Sequence, residues 1–184
     1  MSEAIYSFDF SVLDGIQEYL RAAWLDTIVP YITMLGNAGI FWILLTAVFL
    51  LIPSKRRTGI VMATALIIDV IVCNGILKPL VARIRPYDLH AGIDLLIKAP
   101  TDFSFPSGHS AASFAAASAL MFRKDRLWFP AMFLALLIAL SRLYLYVHYP
   151  TDVICGILVG FLAGWLGNYI SQKWIEPRLD QRKE

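Results

Sequence analysis

Residues 134–164 read "LALLIALSRLYLYVHYPTDVICGILVGFLAG". Two apolar runs flank a short segment that carries Arg142, His148 and Asp152. An unpaired charge in or beside hydrocarbon costs at least a few kcal/mol. These three groups must therefore satisfy one another or a ligand. Each flanking run approaches the roughly 20 apolar residues that a helix needs to cross a bilayer. The rest of the chain agrees. Of 184 residues, 58% are hydrophobic and only 16% charged, against about 45–50% apolar in soluble domains. The excess is gathered into long runs, which argues against a soluble globular fold.

Five segments have the apolar character of membrane spans: Trp24–Ile52, Gly59–Leu77, Gly108–Phe122 (with a start as early as Ser104), Leu127–Val147 and Val153–Ile170. The first contains "LGNAG" at 35–39 and reads as a short helix, a break, then the span proper. Ahead of it, residues 11–24 place Leu13, Ile16, Leu20 and Trp24 on one stripe, with Asp14, Gln17, Glu18 and Arg21 facing away. Ser11 and Asp14 resemble a capping box. This amphipathic helix either lies in the membrane interface or packs on the end of the bundle. The expected fold class is all-α, a polytopic membrane helix bundle of about five transmembrane helices plus the N-terminal amphipathic helix. It forms one domain over 1–184, with an outer loop at 87–105 and a cytoplasmic tail at 171–184. No Lys or Arg precedes Arg21 and no cleavage site is evident, so no removable signal peptide is expected.

Charge sets the expected orientation. Lys55, Arg56 and Arg57, then Arg123, Lys124 and Arg126, then Lys173, Arg178, Arg182 and Lys183 follow alternate spans and fall on one side. The positive-inside rule makes that side cytoplasmic. Apart from Arg21, the remaining basic residues (Lys78, Arg83, Arg85, Lys98 and Arg142) lie at or near the outer ends of spans two to four.

Three motifs meet at that outer face. "KPLVARIRP" spaces Lys78 and Arg85 by two helical turns, hence on one face if the helix continues. "PSGHS" puts Ser107, Gly108 and His109 at the start of a span. The segment quoted first supplies Arg142, His148 and Asp152. Lysine and arginine offer charge and forked donors to a phosphate, and a Ser-Gly helix start offers free N–H groups to the same anion. Pro150 suits a helix's first turn, which places Asp152 where its carboxylate reaches back to His148. Such a partner holds one imidazole proton and leaves the other nitrogen free to attack. His109 then serves as general acid. The parts amount to cleavage of a phosphate monoester or diphosphate through a phosphohistidine.

The motifs resemble those of the type 2 phosphatidic acid phosphatase superfamily, which also holds the vanadium haloperoxidases. Its signature of K-x6-RP, PSGH and SR-x5-H-x3-D is matched from Lys78 to Pro86, from Pro106 to His109 and from Ser141 to Asp152. The resemblance implies Lys78, Arg85 and Arg142 on phosphate, helped by Ser107 and Gly108. It further implies His148 as nucleophile, Asp152 as its partner and His109 as acid, with no metal or other cofactor. The implied partners are a lipid phosphate and the bilayer, without nucleic acid. Membrane embedding speaks against a haloperoxidase. The expected function is a lipid phosphatase of the cytoplasmic (inner) membrane, multi-pass, with its site on the extracytoplasmic side and undecaprenyl diphosphate as the favoured substrate. Phosphatidylglycerophosphate and phosphatidate suit the same chemistry. A phosphotransferase and a non-catalytic binder of lipid phosphate are the competing classes.

Some polar residues stand outside the motifs. Arg83 reads as a headgroup contact or loop support, and Asp88 and His90 as residues of the connecting loop rather than substrate contacts. Asp69, in mid-span, reads as a structural group that is neutral or hydrogen-bonded within the bundle. Cys73 and Cys155 read as small buried hydrophobes. The Gly156, Gly160 and Gly164 series reads as close packing between the bundle's own helices.

Overall fold

The structure, a computed structural model, describes residues 3–90 and 92–181. Among these every regular element is helical. Helix α1 spans Glu3–Tyr19, α2 Ala23–Met34 and α3 Ile40–Leu51. Helix α4 (Arg56–Asp69) continues through a π-helical stretch, Val70–Leu77, to a last turn, Lys78–Val81. Helices α5 (Gly108–Phe122), α6 (Trp128–Tyr144) and α7 (Pro150–Ile170) complete the bundle.

The stretches Arg56–Leu89, which includes a break after Val81, and Pro150–Leu179 are each long and apolar enough to cross a membrane. Ala23–Met34 and Asn37–Leu51 meet that measure only as a pair, bent by 42°. The bend falls at the expected "LGNAG" break, where Ala38 (φ 50°) and Gly39 (φ 65°) take the left-handed conformation. Helix α6 is apolar but has 17 residues, and α5 has only 15. Helix α5 begins at Gly108, not at Ser104. Its ten residues from Ser110 to Leu120, Ala112 excepted, are all buried. A helix sheathed by neighbours need not match the thickness of hydrocarbon.

Small residues put α5 at the centre. A β-carbon at Gly156 would lie 2.6 Å from the Ser107 carbonyl oxygen, and one at Gly160 would lie 2.8 Å from Phe114 Cβ and 2.9 Å from Ala115 N. The glycine series therefore serves contact within the bundle, as expected, because only a missing side chain lets α7 approach α5 this closely.

Helix α1 runs over Glu3–Tyr19 rather than 11–24, so Ser11 and Asp14 lie inside it and form no N-terminal cap. Only part of the expected stripe packs: Leu13 is fully buried with Tyr146 and Tyr149 and Ile16 is partly buried, while Leu20 and Trp24 are exposed and Trp24 belongs to α2. Gln17 donates to the Tyr144 carbonyl at 2.9 Å, and the Tyr146 hydroxyl donates to Asp14 at 2.6 Å. The helix is packed across the end of α6 and α7. At the opposite end Lys55 pairs with Asp125, and Arg57 and Arg123 both reach Glu176. The expected tail extends past the described residues, which exclude Arg182 and Lys183.

Candidate active site

Three interruptions of helix build the site. The first ends α4. Ala82 takes a left-handed φ of 46°, a conformation that residues with a β-carbon rarely adopt. The chain leaves the helix axis there, and Arg85 is extended, just ahead of a single turn at Pro86–Leu89. Lys78 and Arg85 therefore do not share one helical face. The expected two-turn helix is broken, and the two cations meet through Asp102 instead.

The second interruption is the start of α5. Ser107 is its N-cap and turns its hydroxyl into the helix, accepting from Ser110 N at 3.4 Å and from Ser110 Oγ at 2.9 Å. Gly108 and His109 follow on the first turn. The third is the turn between α6 and α7, where Tyr146 has φ 58°. Arg142 closes α6, and Tyr149 caps α7. Asp152 sits at the third helical position and accepts from the Tyr149 N–H at 3.1 Å. Pro150 occupies the first position, where its missing N–H costs nothing.

A cavity of about 670 Å³ opens among these breaks, lined by Lys78, Arg85, Gly108, His109, Arg142 and His148. Ser107 and Asp152 stand behind this lining. His148 is buried between two charged groups. Its Nε2 faces Arg85 Nη1 at 3.3 Å, and its Nδ1 lies 3.6 Å from Asp152 Oδ2 and 3.5 Å from Ser104 Oγ. The histidine–aspartate approach is thus of ion-pair length, longer than a hydrogen bond. Catalytic contacts are often loose before substrate binds. Arg142 donates from Nη1 to Thr33 Oγ1 at 2.6 Å, while its buried Nε has no partner among the described residues. His109 Nε2 lies 2.9 Å from Asn37 Oδ1.

Asp152 is held more firmly than the motifs suggest. Ser104 Oγ donates to it at 2.5 Å, and Arg83 Nη1 reaches it at 2.5 Å. Arg83 Nη2 binds Asp9 of α1 at 2.6 Å, and Asp9 also accepts from the Thr151 N–H and hydroxyl. The Arg83 guanidinium stacks 3.6 Å from the Tyr149 ring centre. Arg83 is therefore a buried support for the aspartate, not a headgroup contact.

Asp102 is a residue that sequence reasoning passed over. Its Oδ1 accepts from Arg85 Nη2 at 2.7 Å, its backbone oxygen accepts from Arg85 Nε at 2.8 Å, and its Oδ2 pairs with Lys78. Burial alone would raise this carboxyl's pKa. The hydrogen bond and charge of Lys78, with those of Arg85, outweigh burial and hold it down at about 2. It is ionised throughout the physiological range.

Asp88 and His90 do not line the cavity; His90 Nδ1 lies 2.8 Å from the Tyr146 hydroxyl. Asp69 is buried, but its Oδ1 lacks a hydrogen-bond partner among the described residues. It faces a smaller cavity of about 240 Å³ that shares Lys78, Asp102, Gly108 and His109 with the larger one.

The arrangement is an anion cradle with a buried imidazole on one wall and a second imidazole nearby. Residues 58–176 match the model of the PAP2 superfamily. The chain belongs to that superfamily. It is 30% identical over 164 residues to an undecaprenyl-diphosphatase of Sulfolobus acidocaldarius, covering 89% of this chain and 79% of that protein. The crystal structure of Aquifex aeolicus LpxE superposes with a TM-score of 0.77 at 27% identity, covering 91% of this chain and 98% of that one. A PAP2-type phosphatidylglycerolphosphate phosphatase from Bacillus subtilis gives 0.76 at 25% identity, covering 94% and 89%. The protein is a PAP2 lipid phosphatase, a hydrolase of phosphate esters or diphosphates. Asp9, Thr33 and Asn37 all precede the matched residues, so part of the site's support comes from outside the segment that defines the superfamily.

Proposed function

We propose that this phosphatase hydrolyses undecaprenyl diphosphate through a phosphohistidine formed on His148. The observation that carries the reading is the pairing of His148 Nε2 with Arg85 at 3.3 Å on a cavity that also holds Lys78, Arg142 and His109. Arg85, Lys78 and Arg142 bind the terminal phosphate, and the N–H groups at the α5 start, beside Ser107 and Gly108, add donors. Asp152 and Ser104 hold a proton on Nδ1 of His148, leaving the Nε2 lone pair to attack phosphorus. The phosphorus–oxygen bond to the lipid phosphate breaks, and His109 gives its proton to the departing oxygen. Water then attacks the phosphohistidine while His109 takes back a proton, and inorganic phosphate leaves. Undecaprenyl diphosphate is favoured by the name of the Sulfolobus relative. The Bacillus structural neighbour supports phosphatidylglycerophosphate as the second reading.

In this reading residues 1–184 form one membrane-embedded domain crossing the cytoplasmic membrane five times. The Lys55, Arg57 and Arg123 end faces the cytoplasm, the cavity opens on the outer leaflet, and α1 lies in the outer interface. Its exposed Ile5, Phe8 and Tyr19, with Leu20 just after it, suit that position. Cytoplasmic labelling of a Lys98→Cys variant would overturn this orientation.

The deciding experiment measures phosphate release by the purified protein in EDTA from undecaprenyl diphosphate, phosphatidylglycerophosphate and phosphatidate. The diphosphate should show the highest kcat/KM. His148→Ala should lose turnover by about 10³-fold or more, as loss of a catalytic nucleophile does. Unchanged turnover in that variant sinks the phosphohistidine, and preference for a glycerophospholipid replaces the substrate assignment.

A further inference from the structure

Four of the five N–H donors of Arg85 face a partner. Nε and Nη2 are bound to Asp102, and Nη1 is bound to the Val147 carbonyl at 2.5 Å while facing His148. Lys78, the other cation of the first motif, is paired with the same aspartate. A phosphate that puts one oxygen on each of Lys78 and Arg85 takes the places now held by the two Asp102 carboxylate oxygens. The Val147 carbonyl belongs to a buried turn. The Asp102 side chain is 52% exposed and lies in the loop ahead of α5, so it is the partner free to leave.

The loop itself is pinned on both sides of Asp102. Tyr87 donates to the Pro100 carbonyl at 2.5 Å, and the Ser104 N–H donates to the Arg83 carbonyl at 2.8 Å. The carboxylate accordingly leaves by rotation of its side chain, with the Ser104 contact to Asp152 kept intact. Two carboxylate oxygens, one on each cation, reproduce how two oxygens of a phosphate would be gripped.

Resting on the lipid-phosphatase reading, we propose that Asp102 is a specificity-determining residue, an internal anion that doubly charged phosphate groups displace and singly charged phosphodiesters do not. Lys78, Arg85 and Arg142 contribute three positive charges to the cavity and Asp102 removes one. A phosphodiester carries one negative charge, so exchanging it for the carboxylate gains nothing in charge. A terminal phosphate carries about −1.5 to −2 at neutral pH, so its exchange is favourable. A bilayer surrounds the site with phosphodiester headgroups, and a bare cradle would be occupied by them. The same carboxylate re-enters as inorganic phosphate departs, which speeds release of that product.

The test uses the purified full chain in detergent micelles, with Asp102→Asn and Asp102→Ser as the variants and Asp102→Glu as the charge-retaining control. Calorimetric titration with inorganic phosphate reads the cradle without any turnover. Both neutral variants should bind phosphate about tenfold tighter, which corresponds to about 1.4 kcal/mol, and Asp102→Glu should stay close to wild type. In a turnover assay, added phosphatidylglycerol should inhibit the neutral variants competitively and leave the wild type unaffected. Unchanged or weaker phosphate binding in both neutral variants overturns the proposal. Tighter phosphate binding without inhibition by phosphatidylglycerol overturns the selectivity. Should no lipid phosphate be hydrolysed by the wild type, the substrate assignment fails while the titration still judges Asp102.

Discussion

The two ends of the bundle both gather charge, and they treat it differently. At the end away from the cavity, Lys55 meets Asp125 while Arg57 and Arg123 share Glu176, so basic side chains from two helix junctions are matched by acidic ones. At the cavity end Lys78, Arg85 and Arg142 converge, and among the described residues lining that cavity Asp102 is the one carboxylate. Arg142 even keeps a buried Nε without a partner among the described residues. Charge that holds a bundle together is paired permanently. Charge that receives a ligand keeps a surplus and a partner that can be dislodged. Arg83 is instructive because it lies at the functional end yet follows the structural rule, clamped between Asp9 and Asp152.

That contrast breaks most visibly at Arg83. Arg83→Met leaves Asp9 and Asp152 buried without their shared cation, and removing one partner of a buried ion pair costs about 3–5 kcal/mol. Turnover should fall on the order of a hundredfold, the penalty for a small misplacement of a catalytic group, with kcat falling more than KM rises. A thermal melt alongside kinetics checks both effects. Wild-type kcat in a folded Arg83→Met protein would remove Arg83 from the positioning of Asp152.

A smaller effect is expected in the packing that both ends share. Gly160→Val pushes a side chain into Phe114 and Ala115 of α5, and overpacking of this kind costs about 1–3 kcal/mol. The melting temperature should drop, and activity with it, because α5 carries His109. The smallest effect belongs to the far end. Lys55→Met removes the partly exposed partner of the buried Asp125 at the end away from the cavity, so any loss falls on stability and kcat/KM should match wild type. A large loss of activity in Lys55→Met would undo the distinction between the two ends.

Several features were legible in the sequence because they depend on neighbours along the chain. The "LGNAG" break, the burial of the Gly156–Gly164 face and the capping position of Asp152 follow from helical periodicity, glycine geometry and the proline before Asp152. Local rules also misled. The spacing of Lys78 and Arg85 suggested one helical face, but Ala82 ends the helix between them. Ser11 and Asp14 looked like a cap, but the helix already begins at Glu3.

What the sequence determined by itself is the helical bundle and the motif groups Lys78, Arg85, Gly108, His109, Arg142 and His148 of the cavity wall, since hydropathy runs and motif spacing are properties of contiguous residues. What only the tertiary structure decided is which partners those groups keep. Asp9 reaches Arg83 across 74 positions, Thr33 reaches Arg142 across 109, and Asn37 reaches His109 across 72. Asp102 likewise finds Lys78 only because the loop before α5 folds back over the end of α4. No periodicity encodes such contacts. They arise when separate helices pack and their buried polar groups, cut off from water, must bond with whatever the fold has brought beside them.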